Sequence, residues 1–377
     1  MNSLLKKLFL FTLLISSINI FGQSVPLSKN TQVSLITCDS GNESYSLFGH
    51  TALRITDTDN NLDVVYNYGA FDFSTPNFVA KFAKGDLQYF VIAHSFYDFI
   101  GQYNYEQRSV FEQQLNIPLA YKQKLFENLN TTLASEERYY TYKFIDKNCT
   151  TMVVDMLNKT LGSNVIFKKN YPDKTYRAIL YPYFDNYFYQ KLGTSIIFGS
   201  KVDDYATQIF LPLELHKNLQ QIQFENHPLC KKSETLLDFK KETPSSWWDN
   251  IYTFILFLGF IVVLNKKSID FVYLTIIGLL GLVFGFMGFY SFHHELANNY
   301  NILLFNPFLL VLLYFYFTQN KKWIINLGAL NILFLFVYLG FMLNKTHLLI
   351  VFPLILTNII LLAKIIFQNS KRIPVII

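Results

Sequence analysis

Polar and apolar positions divide the chain into two regions that meet near Trp247. Before that point apolar residues come in short runs, broken by charged and turn-forming ones. Gln32–Thr37 alternates as a strand does. Thr51–Thr56 and Asp63–Tyr68 are strand-like runs on either side of the turn-rich Asp57–Asn61, which predicts a hairpin. Leu119–Leu133 has helical spacing, and Tyr139–Phe144 alternates again. Thr150–Leu161 reads as a helix, with Asn148 a good N-cap and Gly162 a good stop. No internal repeat or low-complexity tract interrupts this stretch. Residues 24–246 therefore read as one α+β domain.

After Trp247 the apolar runs lengthen. Phe271–Phe292 and Trp323–Leu343 hold no charged residue, and Leu348–Phe367 holds only Lys364. Ile302–Thr318 is shorter, and Trp247–Leu264 carries Asp249 and Asn250 at its start. A spanning helix needs about 20 mostly apolar residues. Residues 247–377 thus read as an all-α bundle of five transmembrane helices, the first and third runs being the weakest.

Composition agrees. Hydrophobic residues make up 51% of the 377 and charged ones only 16%, against roughly 25% in soluble domains. That excludes a disordered chain, and three Cys exclude a disulfide scaffold. The net charge of +5 suggests an acidic partner until its location is read. Residues 248–377 hold Lys266, Lys267, Lys321, Lys322, Lys345, Lys364, Lys371 and Arg372 against Asp249, Asp270 and Glu295, which accounts for the whole surplus. A nucleic-acid partner would need a basic stripe on a folded face, so none is expected. Paired bases follow the first, third and fifth runs, and the positive-inside rule makes those ends cytoplasmic. Trp247 and Trp248 suit the outer aromatic belt. Lys6 and Lys7 precede the apolar Leu8–Ile20 and small residues near Gly22, the pattern of a secretory signal over residues 1–22. Both signals export residues 24–246.

Candidate chemistry lies in that domain. Cys149 would occupy the first helical turn after its Asn148 cap, where orphan amides and the helix dipole favour a thiolate. His50 follows Phe48-Gly49 at the start of a strand, and a strand-borne His facing a helix-borne thiol makes a Cys–His pair. Glu43, Asn67 and Tyr68 are candidates to orient the imidazole. Asn148 could add an oxyanion donor beside the Cys149 amide, although its capping role is the simpler account. If Cys38 and Cys230 pair, Cys149 is the free thiol. The loop His293-His294-Glu295, Asn301 and Asn306-Pro307 reads as a polar patch at the membrane surface that contacts substrate head groups or the exported domain. His, His and Glu adjacent in sequence do not point one way on a helix, so no metal is expected. With no Gly-rich phosphate loop, Cys-x-x-Cys or His-Glu-x-x-His motif, no cofactor is expected either.

Ser46-Leu47-Phe48-Gly49-His50-Thr51-Ala52-Leu53-Arg54, Val65-Tyr66-Asn67-Tyr68-Gly69-Ala70-Phe71 and Asn148-Cys149-Thr150-Thr151 together resemble the Lnb N-terminal periplasmic domain of Bacteroidota. The resemblance extends over most of residues 30–215, including Phe78–Gly85 and the region of Arg108. It reappears in the C-terminal helices and at Asn301–Pro307. It implies a circularly permuted papain-like Cys/His fold in a multi-pass protein of the bacterial inner membrane. The implied activity is lipoprotein N-acylation, with Cys149 and His50 catalytic. A phospholipid would be the acyl donor and a diacylated lipoprotein the acceptor. One departure is Met152, where the family commonly has Arg; Asp155, one turn on, is present. The residues alone also fit a Cys peptidase or amidase of envelope peptides, or a non-enzymatic binding module.

Overall fold

The computed structural model describes residues 25–43, 45–162, 164–240 and 246–370. The signal segment 1–22, Lys371 and Arg372 lie outside the described residues. The strands are β1 (Gln32–Cys38), β2 (His50–Asp57), β3 (Leu62–Ala70), β4 (Gln88–Ser95), β5 (Val110–Gln114), β6 (Tyr139–Thr141), β7 (Gln223–Phe224), β8 (His227–Pro228) and β9 (Glu234–Leu237). Seven of them form one antiparallel sheet in the order β6-β4-β3-β2-β1-β5-β9, and β7 and β8 form a small ribbon. The expected hairpin is β2–β3, registered by Leu53 opposite Tyr66 and Ile55 opposite Val64.

Alternation along β1 and β2 sends residues to opposite faces. Leu35, Leu53 and Ile55 pack with Tyr66, Val91 and the helices α3 (Leu119–Ala134) and α4 (Cys149–Leu161). Ile36, Ala52 and Val65 face the other way, onto Phe99 and Tyr103 of α2 (Phe96–Tyr105). A short helix, α1 (Phe78–Lys84), joins β3 to β4. The strand expected over Tyr139–Phe144 stops at Thr141. There the chain turns back on itself, and Lys143 and Lys147 exchange backbone hydrogen bonds of 2.9 and 3.1 Å. That turn delivers Asn148 to the start of α4.

Three further helices, α5 (Tyr176–Leu180), α6 (Phe188–Ile197) and α7 (Pro212–Leu219), follow α4. The C-terminal region is helical: α8 (Ile251–Leu264), α9 (Lys267–Tyr290), α10 (Phe308–Phe317), α11 (Lys321–Met342) and α12 (Leu348–Ser370). Among the described residues, four segments are long and apolar enough to cross a membrane: Lys267–Tyr290, His294–Phe317, Lys321–Met342 and Leu348–Ser370. The expected count of five is not met by length. α8 has 14 residues, about 21 Å against a hydrocarbon core of about 30 Å. Its ends explain this. Asn250 caps it by accepting the Tyr252 and Thr253 amides, so it cannot begin at Trp247. Asn265, with φ of 50°, ends it.

The exported domain is fastened to the helices by polar contacts. Arg177 is 1% exposed and donates to Asp203 Oδ1 at 2.6 Å. Tyr300 donates to Asp203 Oδ2 at 2.6 Å and meets His347 Nε2 at 3.0 Å. Asn301 Nδ2 donates to the carbonyls of Ser195, Ile196 and Phe198, and its oxygen accepts from Tyr338. Near the start of α8, the Tyr189 amide donates to Asp249 at 2.8 Å, and Tyr189 stacks on Trp248.

Candidate active site

Three backbone features assemble the site. Gly49 has φ of +82°, and a Cβ there would lie 2.5 Å from the Cys38 carbonyl. Only glycine lets β2 enter so close to β1, and this places His50 opposite Cys38. Asn148 accepts the Thr150 and Thr151 amides, while its own amide donates to Thr151 Oγ1, a reciprocal cap on α4. Cys149 is the first helical residue, and its amide is one of the orphan donors of the helix terminus. The third feature is a bulge in β3 between Tyr68 and Ala70. It contains Gly69, with φ of +106°.

These features bring Cys149 and His50 together. His50 hydrogen-bonds through Nε2 to Asn67 Oδ1. With a carbonyl oxygen as partner, Nε2 carries the proton and Nδ1 is the basic nitrogen, an assignment made from the hydrogen-bond pattern. Burial alone would push the Cys149 thiol up. The adjacent His50, its hydrogen bond, the Thr51 amide and the Thr150 hydroxyl outweigh that and hold the thiol below its ordinary range. The other two thiols behave oppositely. Burial pushes Cys38 up to about 12 and Cys230 up to about 11. No disulfide joins any of the three, so Cys38 and Cys230 do not pair. A half-buried, activated thiol with an adjacent base is equipped for nucleophilic attack on an acyl carbon.

Cys149 and His50 line a cavity of 470 Å³. Its walls are largely aromatic, with Phe48, Phe71, Phe78, Phe82, Tyr89 and Phe144 among them. The wall formed by α1 is tied to the end of α9. Ser291 Oγ donates to the Ala83 carbonyl at 2.7 Å, the Phe292 amide to Lys84 at 2.7 Å, and His293 Nε2 to Phe82 at 2.9 Å. The cavity therefore sits where a membrane helix ends. Phe73 and Val79 remain 69% and 77% exposed beside it.

The remaining sequence candidates divide. Asn67 meets His50. Tyr68 is buried in the core against which Cys149 packs, its hydroxyl without a partner among the described residues. Glu43 lies in an exposed turn, where its carbonyl accepts from the Ser46 amide and hydroxyl, away from the imidazole. Asn148 spends its side-chain donor on the Phe144 and Phe210 carbonyls, which leaves none for an oxyanion. The His293–Asn306 loop faces the domain. Asn301 is 0% exposed with its donor saturated, and Asn306 caps α10 through the Phe308 amide. Neither can reach a lipid head group. His294 pairs with Asp146 at 3.1 Å. Among the described residues no group of His, Cys, Asp and Glu could hold a metal. Met152 packs against the sheet core.

Sequence reasoning missed Gly69, the Thr51 amide and the Arg177–Asp203–Tyr300–His347 junction. The β-bulge at Gly69 could not be read from one chain, and the junction residues are far apart in sequence.

Comparison with known families follows the same division. Residues 21–181 match the Lnb N-terminal periplasmic domain, and residues 243–372 match the Lnb transmembrane domain. The two matches fall in order on one chain and cover most of it, so the chain belongs to the Lnb family. It is a membrane protein with a periplasmic N-terminal domain. No curated protein and no solved structure matches it.

Proposed function

We propose that this Lnb-family protein is a membrane-bound acyltransferase of the inner membrane. It moves an acyl chain from a phospholipid, through a Cys149 thioester, to the N-terminal amine of diacylated lipoproteins. The observation that carries this reading is the position of the thiol. It lines a large aromatic cavity whose α1 wall is hydrogen-bonded to the end of a membrane helix. A cavity of that lining suits a hydrocarbon chain, and its place at the membrane surface suits a donor and an acceptor that both reside in lipid.

His50 Nδ1 takes the thiol proton, and the thiolate attacks the ester carbonyl of the lipid. The C–S bond forms, the ester C–O bond breaks, and His50 returns the proton to the leaving lysophospholipid. The lipoprotein amine then attacks the thioester. The C–N bond forms, the C–S bond breaks, and His50 removes the amine proton. A thioester reacts with amines more readily than an oxygen ester, so one difficult step becomes two easier ones. Asn67 holds the imidazole in the tautomer this requires. A strand-borne His ahead of a helix-borne Cys is the chain order of a permuted papain-like site.

In this reading α8 is a fifth crossing. The start of α8 and the end of α9 both contact the exported domain, so α8 runs away from it and α9 returns. Lys266 and Lys267, at the turn into α9, then lie on the cytoplasmic side.

The test supplies purified protein with a phospholipid labelled in its acyl chain and a diacylated lipopeptide. Label is expected on the peptide amine. Peptide hydrolysis without any lipid transfer would instead establish a peptidase and refute the acyltransferase.

A further inference from the structure

Gly69 leaves a gap that three groups face. The nearest heavy atoms to a Cβ built there are Cys149 Cβ at 3.6 Å, His50 Cε1 at 3.6 Å and Tyr140 Oη at 4.0 Å. The first two belong to the proposed nucleophile and base, and the third has no role so far. Tyr140 is 3% exposed, and its hydroxyl has no hydrogen-bond partner among the described residues. Leaving a buried donor unmade is costly, and such groups call for an explanation. Its ring is fixed in β6 opposite Tyr89 and packs against the Tyr68 and Tyr89 rings. The hydroxyl is thus held in place with its donor unspent. The Asn148 side chain, by contrast, has none to spare.

We propose that Tyr140 is a further catalytic residue, whose hydroxyl donates a hydrogen bond to the oxyanion formed when Cys149 attacks an acyl carbonyl. The Cys149 amide supplies the second donor. This rests on the reading of Cys149 as the acylated nucleophile. As the C–S bond forms, the carbonyl π pair moves onto oxygen, and Tyr140 and the Cys149 amide stabilise that charge. As the intermediate collapses, the pair re-forms C=O and the bond to the leaving oxygen breaks. Tyr140 keeps its proton throughout. Burial, and then the nearby Cys149, push its phenol well above the ordinary value, so it acts as a donor and not as an acid. A preorganised donor aimed at developing charge is worth most in such a site.

The test compares two reactions of one thiol on the full-length protein in detergent. Acylation by p-nitrophenyl butyrate passes through an oxyanion; alkylation by iodoacetamide is a direct displacement and does not. In Tyr140→Phe, the p-nitrophenolate burst is expected to slow about 10²-fold. Alkylation should stay within about twofold of the unmutated protein, and the melting temperature should be equal or higher, since only an unpartnered hydroxyl is lost. An unchanged burst rate overturns the proposal. Parallel loss of alkylation overturns it too, because Tyr140 would then act on the thiol itself. A variant that fails to fold also overturns it, by showing that the hydroxyl has a structural partner. If the unmutated protein gives no burst, the acylated-nucleophile reading falls first and this inference with it, an outcome that the variant plays no part in.

Discussion

Two clusters of buried polar groups, one at the thiol and one at the junction with the membrane helices, differ in how far their side chains are engaged. At the junction, the side chains of Arg177, Asp203, Tyr300, Asn301 and Tyr338 all find partners, and only His347 Nδ1 is left without one among the described residues. At the thiol, the Tyr140 hydroxyl is buried and has no partner among the described residues. Saturation fixes a geometry and stabilises it; unspent capacity lowers stability and is useful only when a reaction supplies the missing partner. The junction therefore holds the domain on its helices, while the site keeps a donor for a reacting group, as the proposed function requires.

Substitutions in the two clusters should have different effects. The largest concerns Cys149→Ala. It should lower acyl transfer by at least about 10³-fold while the melting temperature barely moves, because the half-buried thiol contributes little to packing. Residual transfer near the unmutated rate would remove the thiol from the mechanism. Arg177→Met should show the reverse. Breaking one side of a buried ion pair costs about 3–5 kcal/mol, which thermal unfolding in detergent would report, while iodoacetamide should alkylate Cys149 at an unchanged rate in the protein that remains folded. An unfolding curve that does not shift would mean the pair is far more hydrated than its burial indicates.

The third prediction concerns pH. The folded thiol is held low by His50 against burial, which alone would raise it. Reactivity is then present above that lowered value and disappears as pH falls through it. His50→Gln removes the charge partner and leaves the burial, so the midpoint of the alkylation profile should move to higher pH. A profile that stays in place would show that His50 does not activate the thiol. The smallest effect belongs to the exposed wall beside the cavity. Val79→Asp should raise KM for vesicle phospholipid several-fold, as expected from charging an apolar contact surface, and leave alkylation unchanged. Equal KM values would detach α1 from lipid entry.

These tests also mark what the sequence could and could not convey. The cap at Asn148, the helix behind Cys149 and the β2–β3 hairpin rest on local rules: capping spacing, alternation and turn composition. They appear in the structure within a residue or two of where those rules put them. The strand β4 went unread because Tyr89–Ala93 is a continuous apolar run, which periodicity cannot assign. Cys149, His50 and Tyr140 meet around the bulge at Gly69, and a bulge changes which face a residue occupies without altering composition. Arg177 and Asp203 carry no local sequence signal, and only the fold buries them together. Glu43 failed for a similar reason: its nearness to His50 along the chain does not survive the turn at Ser46. For α8 the apolar run was real, and the cap at Asn250 shortened the helix made from it.

In the proposed reaction Cys149 carries the acyl chain. Intact-mass analysis after incubation with phospholipid tests it most directly. A mass increase of one acyl group is expected, located on Cys149 and removed by hydroxylamine. An absent adduct, or one that persists in Cys149→Ala, would contradict it.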